Sequence, residues 1–293
     1  MEHIYQISKY LKENFGEKVV KLSLDGGFTC PNRDGSKSTG GCTFCSSEGS
    51  GELASDIKGQ MDLLSIKWPN VNKYIAYFQS HTNTYAPIEK LRQMYYEALD
   101  GDKIVGIAIA TRPDCINEEI LDLLSELNGK TFLWVELGLQ TIHNKTRKDL
   151  NICYPVSQYD EIVDKLNQRN IKYVTHLILG FPGETKDDMV ASLKHITSKN
   201  IFGLKLHMLN IVKGSQMEKT HSDYNSFDSP EEYINTICDF LELVPPKVTI
   251  HRLTGDVPRP ILITPPWSYK KRTILNGIAH ELKRRGSSQG SKL

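Results

Sequence analysis

The sequence predicts an α/β protein whose strands and helices alternate as in a barrel, whole or partial. Three observations carry that prediction. Short apolar runs alternate with helical segments of about 10–15 residues, which gives β–α units and a parallel sheet. No GxGxxG or GxxxxGK[ST] follows the first strand, which argues against dinucleotide-binding and P-loop folds. Polar residues gather at the ends of the apolar runs, where barrels carry their reactive groups.

The totals are compatible with this. The chain has 293 residues, 39% hydrophobic and 24% charged, as a soluble globular protein does. Lysine and arginine number 36 against 35 acidic residues, so any polyanion site must be a local patch. No run approaches about 18 uncharged apolar residues, which excludes a membrane-spanning helix. The start, MEHIYQISKYLKENFG, mixes charges and lacks the apolar segment of a signal peptide. A cytoplasmic location is expected, and there cysteines more often bind metal than pair.

In order, residues 4–14 have apolar side chains at helical spacing, and Gly16 stops that helix. VVKLSLDGG (19–27) reads as the first strand, and residues 52–67 as a helix with Met61, Leu63, Leu64 and Ile66 on its apolar face. Five further strands follow, at 74–79, 104–110, 131–140, 173–180 and 202–211, each trailed by a helical stretch. KVTIHRL (247–253) is a seventh candidate. From RPILITPPW (259–267) on the rhythm is lost. Prolines precede Trp267, an amphipathic helix spans 268–285, and a basic tail closes the sequence; an extension packed on the barrel is expected, with its last residues disordered.

The strand ends hold an uneven share of polar side chains. Cys30, Cys42 and Cys45 follow the first strand; Gln79, Thr82 and Asn83 the second; Thr111, Arg112 and Asp114 the third. Glu136 and Gln140 lie in the fourth strand, His176 in the fifth, Lys205, His207 and Asn210 in the sixth, His251 and Arg252 in the seventh. Such groups inside apolar strands are costly to bury alone. They predict one polar pocket at one barrel end.

The cysteine loop, 28–48, carries the spacing C-x11-C-x2-C among Gly, Pro, Asn, Asp and Ser. Three readings stand. The thiols could be small core groups. They could hold zinc, although structural zinc is four-coordinate and no second C-x2-C is present, so His81 or another distant histidine would be needed. They could hold an iron–sulfur cluster, where three thiolates leave one coordination position open, unlike four-cysteine electron carriers. Cys115, Cys153 and Cys238 do not complete a set.

GFTCPNRDGSKSTGGCTFC, YFQSHTNTYAP, ATRPDC, VELGLQT, THLILGFPGET, HRLTGDVP and the terminal PPWSYKK…LNGIAHELKRR…QG together resemble the radical S-adenosylmethionine (SAM) superfamily. Within it they resemble the YhcC-like family, relatives of the Elongator catalytic subunit. The resemblance covers essentially the whole chain, and the long first gap departs from the superfamily's common C-x3-C-x2-C. It implies a partial (β/α)6 TIM-like barrel over 1–250 with a C-terminal extension over 251–293.

The resemblance also implies cofactors. Cys30, Cys42 and Cys45 would bind three irons of a [4Fe–4S] cluster, and the fourth iron would take SAM. An electron from the cluster would cleave SAM to methionine and a 5′-deoxyadenosyl radical that abstracts hydrogen from a substrate. Phe44 matches an aromatic residue near the adenine, Gln79, Thr82 and Asn83 the amino-group side, and Gln140 a ribose-contacting glutamine of coproporphyrinogen oxidase. His176 takes that enzyme's aspartate position, Glu136 shares Gln140's strand face, and Gly180 would let backbone approach the adenine. One departure concerns the SAM carboxylate: DLNICYP keeps Asn151 of an Asn-Arg pair but has Ile152 for the arginine, leaving Arg112 or Arg147 to substitute. Implied partners are an electron donor such as flavodoxin or ferredoxin and an unknown substrate, with RNA suggested by the Elongator relatives, which act on transfer RNA; no membrane is implied. The alternative from another class is a zinc-stabilised nucleic-acid-binding protein without catalysis.

Overall fold

The computed structural model describes residues 3–46, 49, 54–101, 103–255 and 257–293. Its frame is a seven-stranded sheet, parallel throughout, in the order β1 (Val19–Leu24), β2 (Lys73–Phe78), β3 (Ile104–Thr111), β4 (Phe132–Gln140), β5 (Lys172–Leu179), β6 (Gly203–Met208) and β8 (Thr249–Arg252). Parallel neighbours need crossovers, which α2 (Ile57–Lys67), α3 (Ile88–Leu99), α4 (Glu118–Lys130), α5 (Asn144–Asp149), α6 (Val156–Gln168), α7 (Lys186–Thr197) and α9 (Pro230–Glu242) supply. A short antiparallel pair, β7 (Ile211–Val212) with β9 (Leu262–Thr264), the single turn α8 (Met217–Thr220) and α10 (Lys271–Arg284) complete the chain. The first and last strands of the sheet do not pair, so it is a half-barrel.

The six expected strands are all present, and the seventh candidate joins them as β8, straddling the expected boundary at 250. Local signals explain the crossovers. Asn117 accepts from Ile120 N at the start of α4, Thr185 and Asp188 form a reciprocal capping box on α7, and Ser229 caps α9 ahead of Pro230. Outside the sheet, Leu91, Leu121, Leu124, Tyr159, Leu193 and Ile237 are fully buried against it.

Two expectations fail. The helix expected at 52–67 starts at Ile57, with 52 and 53 outside the described residues, and its apolar face is only partly covered: Met61 packs on the core, while Leu63 and Ile66 are 61% and 86% exposed. β1 is a sheet edge, so only one side of α2 finds a neighbour. The last residues, expected to be disordered, are folded. Gln289 is buried, its Oε1 accepts from Tyr5 N at 2.9 Å, and its Nε2 donates to Pro245 O at 2.8 Å and Val248 O at 2.7 Å. A single glutamine thus ties the tail to both termini of the barrel floor.

That floor is apolar. α1 (Ile7–Phe15) packs Ile7 and Leu11 on Val19, Ile75, Ala108, Trp134 and Val174, and an aromatic group of Tyr10, Phe15, Phe132 and Phe202 seals the strands' N-terminal ends. Side chains two residues further along each strand face the same side. The concave face therefore turns polar as the strands rise: Ile75 gives way to Tyr77 and then Gln79, Trp134 to Glu136, and Val174 to His176.

Candidate functional site

A cavity of about 350 Å³ opens at the strands' C-terminal ends, within the range of small-molecule sites. Cys30, Cys42 and Cys45 line it together, as do Phe44, Gln79, Thr82, Arg112, Glu136, Gln140 and His176. Ten of the twelve expected site residues thus share one wall system, while Asn83 and Gly180 do not. Asn83 lies just below, donating to Phe78 O at 3.2 Å and Ala110 O at 2.8 Å, and so tying β2 to β3. Gly180, at φ +85°, packs away from the cavity, and a Cβ there would meet Ser226 Cβ at 2.7 Å and Phe227 at 2.9 Å. The positive φ and the packing against 226–227 both favour glycine here.

The cysteine loop has no regular structure, and its described part ends at Ser46, so 47 and 48 of the expected loop lie outside the described residues. Distant residues hold it in place. Asn151, in a left-handed conformation (φ +55°), donates to Gly41 O at 2.8 Å and accepts from Ser38 Oγ at 3.0 Å; its carbonyl takes Asn32 Nδ2 at 2.6 Å. Asn32 Nδ2 also lies 3.6 Å from Cys42 Sγ. On the other side, Lys37 of the loop pairs with Asp114 at 2.6 Å. Asp114 in turn grips Arg112 through two bonds, Nε–Oδ1 at 2.9 Å and Nη2–Oδ2 at 2.8 Å. Arg112 Nη1 thereby sits 3.5 Å from Cys30 Sγ. Cys45, hydrogen-bonded to Cys42, pulls the Cys42 thiol down to about 7 against the effect of burial, with the Arg112 charge adding to the pull. Cys45 itself is pushed up, by Cys42 first and then by burial.

The two basic residues that could stand in for the missing arginine separate cleanly. Arg147 is buried and gives its guanidinium to backbone, to Leu139 O and Thr141 O at 2.8 Å each and to Tyr154 O at 2.5 Å. Arg112 lines the cavity. Ile152 packs with Phe44 and Phe181 in an apolar cluster, so its position is an element of the cavity wall. Asn151, the retained member of the pair, serves the cysteine loop.

Gln140 ends β4 in a left-handed conformation (φ +70°) at a register shift against β5. Its Oε1 is buried without a partner, and its amide lies over Gly138, where a Cβ would meet Nε2 at 2.7 Å. Gln140 thus combines a strained backbone with a buried acceptor that has no partner, at the cavity wall.

The opposite wall is built on strands. Glu136 is fully buried and contacts Tyr77 OH at 2.8 Å, Trp134 Nε1 at 2.9 Å, His176 Nε2 at 2.9 Å and the Lys205 ammonium. Lys205 Nζ also donates to Tyr77 OH at 2.8 Å. Glu136 thus pairs with Lys205. The His207 ring lies tilted beside His176, with centroids 5.2 Å apart, and both line the cavity with Asn210 and Arg252. His251 lies lower, edge-on to Trp134 and Phe202. Tyr77 escaped the sequence reading, although it stands two residues before Gln79 and so on the same face. The Lys37–Asp114 pair had no signal in the sequence.

Basic residues at the C-terminal end are engaged. Arg285 pairs with Glu281 and Asp239, Arg284 with Glu281 and Lys292 with Glu242.

Comparisons with known proteins agree with this architecture. Residues 35–196 match the Radical SAM superfamily, and residues 201–284 match the Radical_SAM C-terminal domain. The Bacillus subtilis protein YtqA is 44% identical over 98% of this chain and 91% of its own length. The Escherichia coli protein YhcC is 37% identical over 97% of this chain and 93% of its own. Among solved structures, archaeal Elp3 from Methanocaldococcus infernus superposes with a TM-score of 0.70 at 16% identity, covering 92% of this chain and 64% of that one.

Proposed function

The chain belongs to the radical SAM superfamily of enzymes, and from that premise we propose that its cavity holds a [4Fe–4S] cluster on Cys30, Cys42 and Cys45, with SAM beside it. The observation that carries the proposal is the cavity itself: three thiols from one loop face the same opening as Arg112 and the orphaned amide oxygen of Gln140. Three cysteines are one short of an electron carrier's set. Structural zinc takes four protein ligands, and the cysteine loop brings three thiols to the cavity.

When bound, the cluster supplies an electron that breaks a carbon–sulfur bond of SAM and so generates a hydrogen-abstracting radical. The chain's own residues bind and orient. Arg112, charged and pinned by Asp114 beside Cys30, is the cation offered to the SAM carboxylate in place of the arginine replaced by Ile152. Gln79 and Thr82 stand on the amino-group side, Phe44 offers a ring to the adenine, and Gln140 and His176 face the ribose. Asn83 braces β2 against β3 beneath these positions, and Glu136 orients His176. The electron would come from a flavodoxin or ferredoxin. RNA is the substrate class that the Elongator resemblance points to. No described helix is long and apolar enough to cross a membrane.

Reduction of the anaerobically reconstituted protein with SAM tests the proposal. Formation of 5′-deoxyadenosine supports it, and none under conditions that reduce the cluster would overturn it. Comparing modified nucleosides from deletion and wild-type cells tests the substrate class: a nucleoside lost on deletion supports RNA, and an unchanged set removes it.

A further inference from the structure

The deep end of the cavity fixes the direction of every hydrogen bond around one carboxylate. Burial pushes the Glu136 pKa up, but the Lys205 ammonium and the bond from His176 outweigh it and hold the group well below the usual range. A carboxylate only accepts hydrogen bonds. Tyr77, Trp134, His176 and Lys205 must therefore all donate to it. Because the Tyr77 hydroxyl hydrogen goes to Glu136, its oxygen is left to accept from Lys205. The His176 ring accordingly carries a proton on Nε2. Among the described residues its Nδ1 has no partner, yet it is not sealed off, and His176 lines the cavity.

Whether Nδ1 meets a ligand as acceptor or donor then depends on the ring's charge. The charged and titratable groups that bear on it come from several strands: Tyr77 from β2, Glu136 from β4, Lys205 and His207 from β6, and Arg252 from β8. Lys21 of β1 and His251 of β8 act on the same Glu136–Lys205 pair. A buried carboxylate needs one compensating positive charge. Either Lys205 or a protonated His176 can supply it, and the ammonium touches both Glu136 and Tyr77. Burial lowers both bases, Lys205 to about 7 and His176, with the Lys205 charge adding to the effect, to about 4, so the lysine is the one that holds the proton.

We propose that Lys205, acting through Glu136, is a positioning residue: it supplies the compensating charge, so His176 stays neutral with its proton on Nε2 and offers Nδ1 to a ligand hydroxyl or amine as an acceptor. The proton on Nε2 follows from the bonds alone, and the ring's neutrality from the ammonium that already compensates Glu136. The assignment of its ligand rests on the radical SAM reading, with the cofactor's ribose hydroxyls and a substrate hydroxyl or amine as the two sources of the donor.

Nitrogen NMR of the full chain labelled with 15N-histidine, between about pH 5.5 and 7, reads the ring directly. In the wild type Nε2 of His176 is protonated and Nδ1 is not, across that range. Lys205→Met raises the ring's titration midpoint by about one to three pH units, whereas Lys205→Arg, which keeps the charge, does not. A wild-type ring with its proton on Nδ1, or an imidazolium near pH 7, overturns the proposal without any variant. So does a His176 midpoint that Lys205→Met leaves in place. S-adenosylhomocysteine, titrated into wild type and Lys205→Met, then sorts the ligand. A loss of about tenfold or more in affinity gives the acceptor to the cofactor, and unchanged affinity with impaired substrate turnover gives it to the substrate. If neither changes, the positioning role falls. A wild type that fails to bind S-adenosylhomocysteine would count against the cofactor reading while the NMR result stood.

Discussion

The two walls of the cavity are made in opposite ways. The cysteine wall is a loop without regular structure, held by contacts from far along the chain: Asn151 on one side, Asp114 through Lys37 and Arg112 on the other. The wall on β4, β5 and β6 is rigid backbone, and its side chains form one closed network around Glu136. The difference teaches where each wall is fragile. A loop fixed by separate latches loses them one at a time, while a closed buried network fails together.

The largest expected effect is on the loop wall. Cys42→Ala should abolish cluster binding and SAM cleavage, while Cys238→Ala, in the apolar face of α9, leaves both intact; iron content and visible absorption decide, and a full cluster in the first variant refutes the ligand assignment. On the strand wall, Glu136→Ala strands the Lys205 ammonium in the interior and should cost about 3–5 kcal/mol, read as denaturant midpoint. A cost under about 1 kcal/mol would mean that the network is not closed. The latches come next. Asn151→Ala removes the bonds to Gly41 and Ser38 and should lower stability by about 1–3 kcal/mol, with a fall in cluster occupancy larger than the change in melting temperature implies. Equal effects on both would make Asn151 a general rather than a local support.

A pH series separates the walls again. The folded-state pKa of Glu136 is depressed, so its stabilisation is present above the ordinary carboxylate pKa and is lost as pH falls below it. Unfolding free energy should therefore drop more steeply in acid for the wild type than for Glu136→Gln, and parallel slopes would contradict the depression. The smallest effect belongs to the surface: Arg284→Ala removes an exposed pair with Glu281 and should change stability by less than about 1 kcal/mol.

Much of this was legible in the sequence because alternation within a strand assigns faces. Glu136, Gln140, His176 and Lys205 could be placed at one barrel end from their positions in apolar runs, and the three cysteines from their place after the first strand. Contacts between loops could not be placed, because no periodicity links Lys37 to Asp114 or Asn151 to Gly41. The packing around Gly180 was hidden for a related reason: a glycine at a strand end serves a close ligand or a close neighbour equally well, and Ser226 and Phe227 are far along the chain. The tail was misjudged from composition, since its polar residues disguise the three hydrogen bonds that the Gln289 side chain makes with the barrel floor.

The most direct test of the central claim is the metal content of the full chain purified without oxygen. Three thiolates facing one open cavity predict about four irons per chain, a brown colour that bleaches in air, and no stoichiometric zinc. A colourless protein with one zinc per chain would contradict it.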